Sequence, residues 1–378
     1  MARIYLDARS ITDRPGGVAR YVRSLATALV SRQSPHQFVI LRHRSNLQPI
    51  GDEATQQVVE IPLAQSTDGV ENFLFGHRAM EAAIARGGPP DLFHCPFHVV
   101  PRRIRSVIGD TPLVTTVHDF VWIDHPHTSQ PTFTKALSIR AFAKRAIPFA
   151  LRASDAVIAV SEPTRHRARR YIDDERMVTI SHGVDDHFFE DVPPPSGEFA
   201  ELVDSDRPYI VSVGNDKPYK NLSTLIDAFR RLIEGGRAAR LVLVGDCRGL
   251  HGELPEEATE WIVTPGIVDD HRLRQLLSHA RVFCLPSRVE GFGLPLLEAM
   301  AARTACLVSD VEPMRTIGAE AALRFAPDDP AFLATLLERL LDDDVLCERL
   351  AARGRRRAGQ FRWSHTATKT LQVYDSLL

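Results

Sequence analysis

Two glutamates, Glu290 and Glu298, stand with seven residues between them in the run Pro286-Ser-Arg-Val-Glu-Gly-Phe-Gly-Leu-Pro-Leu-Leu-Glu-Ala-Met300. Glu290 falls in a loop after an apolar strand-like run, where Gly291 and Gly293 let backbone approach a ligand closely. Phe292 and Leu294 complete that loop, and Pro295 suits the first turn of a following helix. Free amides at such a helix start can hold a phosphate, and the helix dipole adds to the attraction. Glu298, about one turn further on, can accept hydrogen bonds from a vicinal diol such as a ribose. The two carboxylates therefore suit the two ends of a nucleotide sugar, with its diphosphate between them. Without a ligand, the same residues make a glycine-rich loop bearing two solvated glutamates. A dinucleotide fingerprint fits poorly, because Gly-Phe-Gly lacks the third glycine and the acidic partner downstream.

Three further places carry residues suited to the same chemistry. Gly16-Gly17 follows the first strand-like run and precedes a helical stretch, so exposed amides there suit a diphosphate oxygen. By itself a Gly-Gly pair is only a turn. Lys220, just ahead of an amphipathic helix, can offset the charge that grows on a departing diphosphate. His118-Asp119 ends the apolar run Leu113–Val117, where α/β sheets place functional groups. With His94, His98, Asp124, His125 and His127 close in sequence, a metal site comes to mind. Their spacing matches no zinc pattern, and they read instead as surface and capping histidines. Ser161 reads as a helix N-cap ahead of Glu162 and Pro163.

The elements that must position these groups alternate strand and helix. In the front half, strands are expected at Arg3–Asp7, Phe38–Arg42, Leu92–Cys95, Leu113–Val117, Ala156–Val160 and Met177–Ile180. Helices are expected at Val18–Ser31, Glu71–Arg86, Phe133–Ala153 (interrupted by Pro148) and Pro163–Tyr171. Three consecutive prolines, Pro193 to Pro195, place a linker at 193–208. The back half repeats the alternation, with strands at Tyr209–Val213, Arg240–Val244, Glu260–Val263, Val282–Leu285, Ala305–Val308 and Ala322–Phe325. Its helices lie near Asn221–Glu234, His271–His279, Pro295–Ala302 and Ala331–Leu341. Short apolar strands followed by helices imply parallel sheets covered on both faces, so each half reads as a doubly wound α/β domain.

At 378 residues the chain is long enough for two domains, and 44% hydrophobic with 25% charged residues describes a soluble globular protein. A net charge of −2 argues against a nucleic-acid binder. Residues 1–190 carry 23 Lys and Arg against 20 Asp and Glu, so the front half is slightly basic. No run approaches the roughly 18 apolar residues of a spanning helix, and the charged start cannot serve as a signal peptide. Five scattered cysteines read as reduced packing residues, which suggests the cytoplasm. Basic side chains at Arg140, Lys144, Arg145, Arg152, Arg165, Arg167, Arg169 and Arg170, interleaved with aromatics, could rest on an anionic membrane. A helix with one packed and one solvated basic face is the better account of them.

Glu290-Gly-Phe-Gly-Leu-Pro-Leu-Leu-Glu298 resembles the E-x7-E signature of the family 4 retaining glycosyltransferases (group 1 glycosyltransferases), which have the GT-B fold. The resemblance runs nearly the whole length. It takes in Gly16-Gly17-Val18-Ala19-Arg20-Tyr21, His118-Asp119-Phe120, Val160-Ser161-Glu162, Ser181-His182-Gly183-Val184-Asp185, Val213-Gly214 with Lys220-Asn221, and Leu243-Val244-Gly245. It implies two Rossmann-like domains facing across a cleft: an acceptor-side domain at 1–192 and a nucleotide-sugar-binding domain at 209–358. A helix at 359–378 then crosses back to the first domain. Gly16 and Gly17 would close over the donor's β-phosphate, Lys220 would meet the leaving diphosphate, and Glu290 the C3/C4 hydroxyls of the sugar. Glu298 would hold the ribose, with Gly291, Phe292, Gly293 and Leu294 lining the donor loop. His118 would meet the donor sugar, and Asp119 would orient that histidine or meet the acceptor. The nucleobase would sit at Thr264–Val268, on backbone contacts. One position departs from the family: the arginine usually found five residues before the lysine is Asn215, a neutral donor.

The resulting expectation is a metal-independent hexosyltransferase with no cofactor, its co-substrate a nucleoside-diphosphate sugar. A front-face mechanism would retain the anomeric configuration. Mannose and a GDP-linked donor are weakly favoured. The acceptor would be a saccharide or lipid-linked saccharide in glycan or polysaccharide assembly, met in the cytoplasm or at the inner face of the membrane. Two alternatives stay open on sequence alone: an epimerase or hydrolase of the same fold, and a non-catalytic nucleotide-sugar-binding protein.

Overall fold

In a computed structural model, the structure describes residues 1–12, 16–32, 34–46, 48–50, 58–65, 67, 69–129, 132–194, 197–203, 207–247, 249–250 and 260–378. The chain forms two compact units. The front unit holds residues 1–126, 133–183 and 363–378, and the back unit holds 127–132 and 184–362. The chain thus enters the back unit at Val184, ahead of the prolines. Part of the expected linker, Pro195, Ser196 and residues 204–206, lies outside the described residues. Within it, Gly197–Phe199 and Ala200–Val203 form short helical turns.

The front sheet has seven strands: β1 (Arg3–Ala8), β2 (Gln37–His43), β3 (Val58–Leu63), β4 (Leu92–Cys95), β5 (Leu113–Val117), β6 (Ala156–Ala159) and β7 (Met177–Thr179). Their order is β3-β2-β1-β4-β5-β6-β7, all parallel. The back sheet has six: β8 (Tyr209–Asn215), β9 (Arg240–Asp246), β10 (Ile262–Gly266), β11 (Val282–Leu285), β12 (Ala305–Ser309) and β13 (Ala322–Phe325). It runs β10-β9-β8-β11-β12-β13, again parallel. Helices cover both faces, so β4, β5, β11 and β12 are buried along their whole length. The strand order reverses between β1 and β4 and between β8 and β11. At such reversals the loops after two neighbouring strands diverge and leave a crevice at the carboxyl ends.

The chain differs from the sequence expectation at a few elements. β3 was not expected; it is an edge strand holding Pro62 and a partly exposed Glu60, a composition that hides a strand. The expected helix at 71–86 is two helices, Gly69–Phe75 and His77–Gly87. A Cβ at Gly76, between them, would sit 2.2 Å from Asn72 Oδ1 and 2.8 Å from Pro101. Pro148 does not interrupt its helix, which runs unbroken from Phe133 to Ala153. The Arg355 and Arg357 guanidinium groups donate to the carbonyls of Ala301 and Ile317.

The last helix, Trp363–Asp375, packs in the front unit. There a buried polar chain links Tyr374 to His94 Nδ1 (2.6 Å), His94 Nε2 to Thr116 (2.9 Å) and Thr116 to Tyr21 (3.3 Å). His182 lies beside Trp363 with rings stacked, and His98 packs edge-on against Trp122. Burial disfavours the charged imidazole. It pushes His94 down to about 3 and His98 down to about 4, and holds His182 well below the ordinary value near 6.5.

In the back unit β8 and β9 meet unusually closely. Gly214 and Gly245 are register partners, Gly245 has φ +122°, and a Cβ there would lie 1.8 Å from the Gly214 carbonyl oxygen. Gly245→Ala should therefore cost about 3 kcal/mol from strain and overpacking, read as a lowered denaturation midpoint in urea. The histidines give the front unit a definite pH dependence. Unfolded imidazoles bind protons below about 6.5 while the folded ones stay neutral to about 4, so stability should be flat above pH 7 and fall between pH 6.5 and 4. Melting temperatures across that range check it, and a flat profile down to pH 5 would contradict it.

Candidate functional site

The back unit brings the expected chemistry to the reversal between β8 and β11. Asn215 is the last residue of β8, and the following turn, Pro218–Lys220, delivers Lys220. Glu290 lies in the loop after β11. The Lys220 ammonium donates to Glu290 Oε1 at 2.6 Å, with only 13% and 10% of the two side chains exposed. The Ser287 hydroxyl, itself fully buried, donates to the same oxygen at 2.7 Å. Both bonds fall on Oε1, which leaves Oε2 for a ligand hydroxyl.

Asn221 joins the two loops. It adopts the left-handed conformation (φ 58°, ψ 33°), which asparagine tolerates better than most residues. Its Nδ2 donates to the carbonyls of Pro286 (3.0 Å) and Pro327 (2.7 Å), and its Oδ1 accepts from the Thr224 hydroxyl (2.8 Å). The residue that opens the helix after Lys220 therefore also holds the start of the Glu290 loop. Neither Asn221 nor Ser287 was singled out from sequence for a role of its own. Their partners were the missing signal: Pro286 and Pro327 lie 65 and 106 residues from Asn221.

Gly293 has φ +102°, and a Cβ on it would meet Met314 Cε at 2.3 Å, so the loop's own packing requires glycine there. Gly291 lies beside Glu290, and Phe292 is buried with its ring edge-on to Phe361. Leu294 opens the helix Leu294–Ala301, which carries Glu298 on its second turn. Glu298 is only 3% exposed, so neither glutamate is the solvated surface group of the ligand-free reading. At the Asn215 position, the side chain accepts from the Lys217 backbone N–H (3.2 Å). Arg288 does not supply the missing cation at that point. Its guanidinium pairs with Asp328 at 2.7 Å.

The front unit places its candidates at the carboxyl ends of β1 and β5. Gly17 opens the helix Gly17–Val30, with Gly16 as an extended N-cap offering no side-chain bond. A Cβ added to either glycine meets nothing within 4 Å. His118 follows β5 and is 6% exposed. Its Nε2 lies 3.0 Å from the Pro96 carbonyl, which can only accept, so Nε2 carries the proton and Nδ1 presents a lone pair. Burial pushes this imidazole down to about 4, against a raising effect of the Pro96 bond. The ring packs edge-on to Tyr21 and near His182. The Pro96 carbonyl thus holds one ring nitrogen, and the Asp119 charge favours the protonated ring, while Asp119 Oδ1 accepts the Val121 N–H (2.9 Å).

The histidines weighed for a metal take other partners. His94 bonds Tyr374 and Thr116, Asp124 pairs with Arg167, and no group of three or more His, Cys, Asp or Glu is placed to hold a metal among the described residues. The basic stripe divides in two. Arg165 and Arg169 pair with Asp174, and Arg167 with Asp124, whereas Lys144, Arg145 and Arg152 remain exposed. No helix among the described residues is long and apolar enough to cross a membrane.

Comparison with known proteins places this geometry. The model for Glycosyltransferase Family 4 matches residues 15–188, and that for Glycosyl transferases group 1 matches 197–357. A phosphatidyl-myo-inositol mannosyltransferase of Mycolicibacterium smegmatis is 28% identical over 375 residues, covering 97% of this chain and 91% of the relative. The O-antigen chain mannosyltransferase B of Escherichia coli is 25% identical over 320 residues, covering 82% and 80%. The sucrose-phosphate synthase structure from Thermosynechococcus elongatus superposes with a TM-score of 0.78 at 22% identity, covering 100% of this chain and 99% of the other, which shows the shared GT-B fold. With one family model on each half and relatives aligned along nearly its full length, the chain belongs to the family 4, group 1 glycosyltransferases.

Proposed function

We propose that this glycosyltransferase moves a hexose, mannose by preference, from a nucleoside-diphosphate sugar to a saccharide or lipid-linked saccharide hydroxyl, with retention and without a metal. The observation that carries this reading is the Lys220–Glu290 pair at the β8/β11 reversal. Glu290 Oε2 accepts from the hexose C3/C4 hydroxyls. Lys220, held by Glu290, stabilises the charge developing on the diphosphate. Glu298 takes the ribose diol, and the amides of Gly291, Phe292, Gly293 and Leu294 line the phosphate path. Asn215 adds a neutral donor at the arginine position.

In the front unit the Gly16-Gly17 amides take a β-phosphate oxygen, and neutral His118 accepts a sugar hydroxyl at Nδ1. Asp119 lies next to it on the acceptor side. The departing phosphate receives the acceptor's proton, so positioning and leaving-group stabilisation are the enzyme's task. The mannosyltransferase relatives favour mannose, and GDP is the donor nucleotide we favour with it. The same relatives favour an acceptor in envelope glycan assembly, met on the cytoplasmic side of the membrane.

The test is thermal unfolding with GDP, UDP, ADP and dTDP in chelator-treated buffer, followed by transfer assays with the matching sugar nucleotide. One nucleotide at 100 times its dissociation constant should stabilise the fold by about 2.7 kcal/mol, and the product should carry the donor's anomeric configuration. Glu290→Ala should lower turnover by about 10²–10³. Near-normal transfer by that variant, or no shift with any nucleotide, would sink the assignment. Gly17→Ala separates packing from ligand contact. With nothing within 4 Å of the new methyl, its melting point should match the wild type, while donor KM rises at least about ten-fold.

A further inference from the structure

At the opposite end of the front sheet from His118 lies a pocket of about 630 Å³ in which five cations, Arg102, Arg105, Lys144, Arg145 and Arg152, surround a floor of Pro148 and Phe149. Its place follows from Asp155, the residue before β6, which bonds the backbone N–H of Leu113 at the start of β5. Arg105 donates to that same carboxylate (2.5 Å) and to the Ala153 carbonyl, which ends the helix Phe133–Ala153. The pocket therefore opens at the amino ends of β5 and β6. His118 follows the carboxyl end of β5, a strand length of about 16 Å away.

Charge sets this pocket apart. Several arginines elsewhere in the front unit are paired: Arg9 with Asp7, Arg42 with Glu60, Arg165 and Arg169 with Asp174, Arg167 with Asp124. In the pocket, Arg105 is committed to Asp155 and to the helix-end carbonyls. Arg102, Lys144, Arg145 and Arg152 are exposed and make no ion pair among the described residues, and no carboxylate lines the pocket. Four like charges around one concavity repel one another, a cost that a multiply charged anion reverses. Three guanidinium forks and an ammonium match phosphoryl oxygens in geometry and number of donors. The buried Pro148 and half-buried Phe149 in its lining give the pocket an apolar side for whatever carries the phosphoryl groups.

We propose that this pocket binds a phosphoryl-rich anion, as a site separate from the one that holds the sugar nucleotide. The anion is either a soluble oligophosphate or the headgroup of an anionic lipid. Calorimetric titration of the full chain with tripolyphosphate tests the first source. Co-sedimentation with phosphatidylcholine vesicles, with and without phosphatidylglycerol, tests the second.

The variants Lys144→Glu/Arg145→Glu and, as a milder pair, Lys144→Gln/Arg145→Gln should weaken whichever binding is seen by about ten-fold or more. Both change exposed side chains, and circular dichroism checks that each is folded. Lys220→Ala should leave the binding within about two-fold, which separates this pocket from the donor phosphate position. Tripolyphosphate binding lost in the pocket variants assigns a soluble anion, and vesicle binding lost in them without tripolyphosphate binding assigns a lipid headgroup. Binding of neither probe, or binding that both pocket variants retain, overturns the proposal.

Discussion

An ammonium and a carboxylate 2.6 Å apart, both largely withdrawn from water, dictate how the back unit must be built around them. Desolvating two ions costs several kcal/mol each, and their attraction repays this only when the geometry is tight and the remaining lone pairs and protons are satisfied. Ser287 supplies one of those extra bonds, directly to the shared oxygen. Asn221 supplies the tightness, because its amide reaches the carbonyls behind the Glu290 loop and behind β13 while its backbone launches the helix after Lys220. The carboxylate thus holds the cation in position before any ligand arrives. That preorganisation is what makes a fixed charge effective against a developing one.

The front unit solves the reverse problem. In the proposed function a sugar hydroxyl would need an acceptor that does not compete for the phosphate charge, and a neutral imidazole would provide one. Burial keeps His118 uncharged, and the Pro96 carbonyl decides which nitrogen bears the proton. Burial also holds the neighbouring imidazoles, His94, His98 and His182, toward the neutral form. A surface histidine with the same neighbours in sequence would titrate near neutrality and lose that lone pair below it. The polar chain from Tyr21 to Tyr374 is therefore more than packing: it sets a dry surrounding in which the tautomer is held.

Much of this was legible in the residue order. Strands buried on both faces appear as short continuous apolar runs, and the Ser161 cap read ahead of Glu162 accepts from the Thr164 N–H. What escaped is equally physical. β3 lies at an edge and mixes Glu60 and Pro62 with its valines, so its pattern is weak. The helix Asp344–Ala358, not expected from the sequence, buries Leu346, Leu350 and Gly354 on one face between charged residues. At the site, side chains with familiar chemistry could be named from type and spacing. Ser287 and Asn221 could not, since their work depends on partners brought close only by the parallel sheet.

Glycine shows most clearly how the fold and the ligand can be told apart as causes. Gly245 and Gly293 have left-handed backbones, and a methyl group on either would strike Gly214 or Met314. The chain's own packing explains both, and they would be needed in a protein that bound nothing. Gly16 is extended, Gly17 begins an ordinary helix, and neither has a neighbour within 4 Å of where a methyl would go. The fold makes no demand on these two positions beyond a helix start, where serine, threonine or aspartate would cap better. A residue pair that the fold leaves unexplained, at the amide-bearing end of a helix next to the sheet reversal, points to something outside the chain that must come close to the backbone. A diphosphate oxygen, small and anionic, is the group whose approach a side chain there would block.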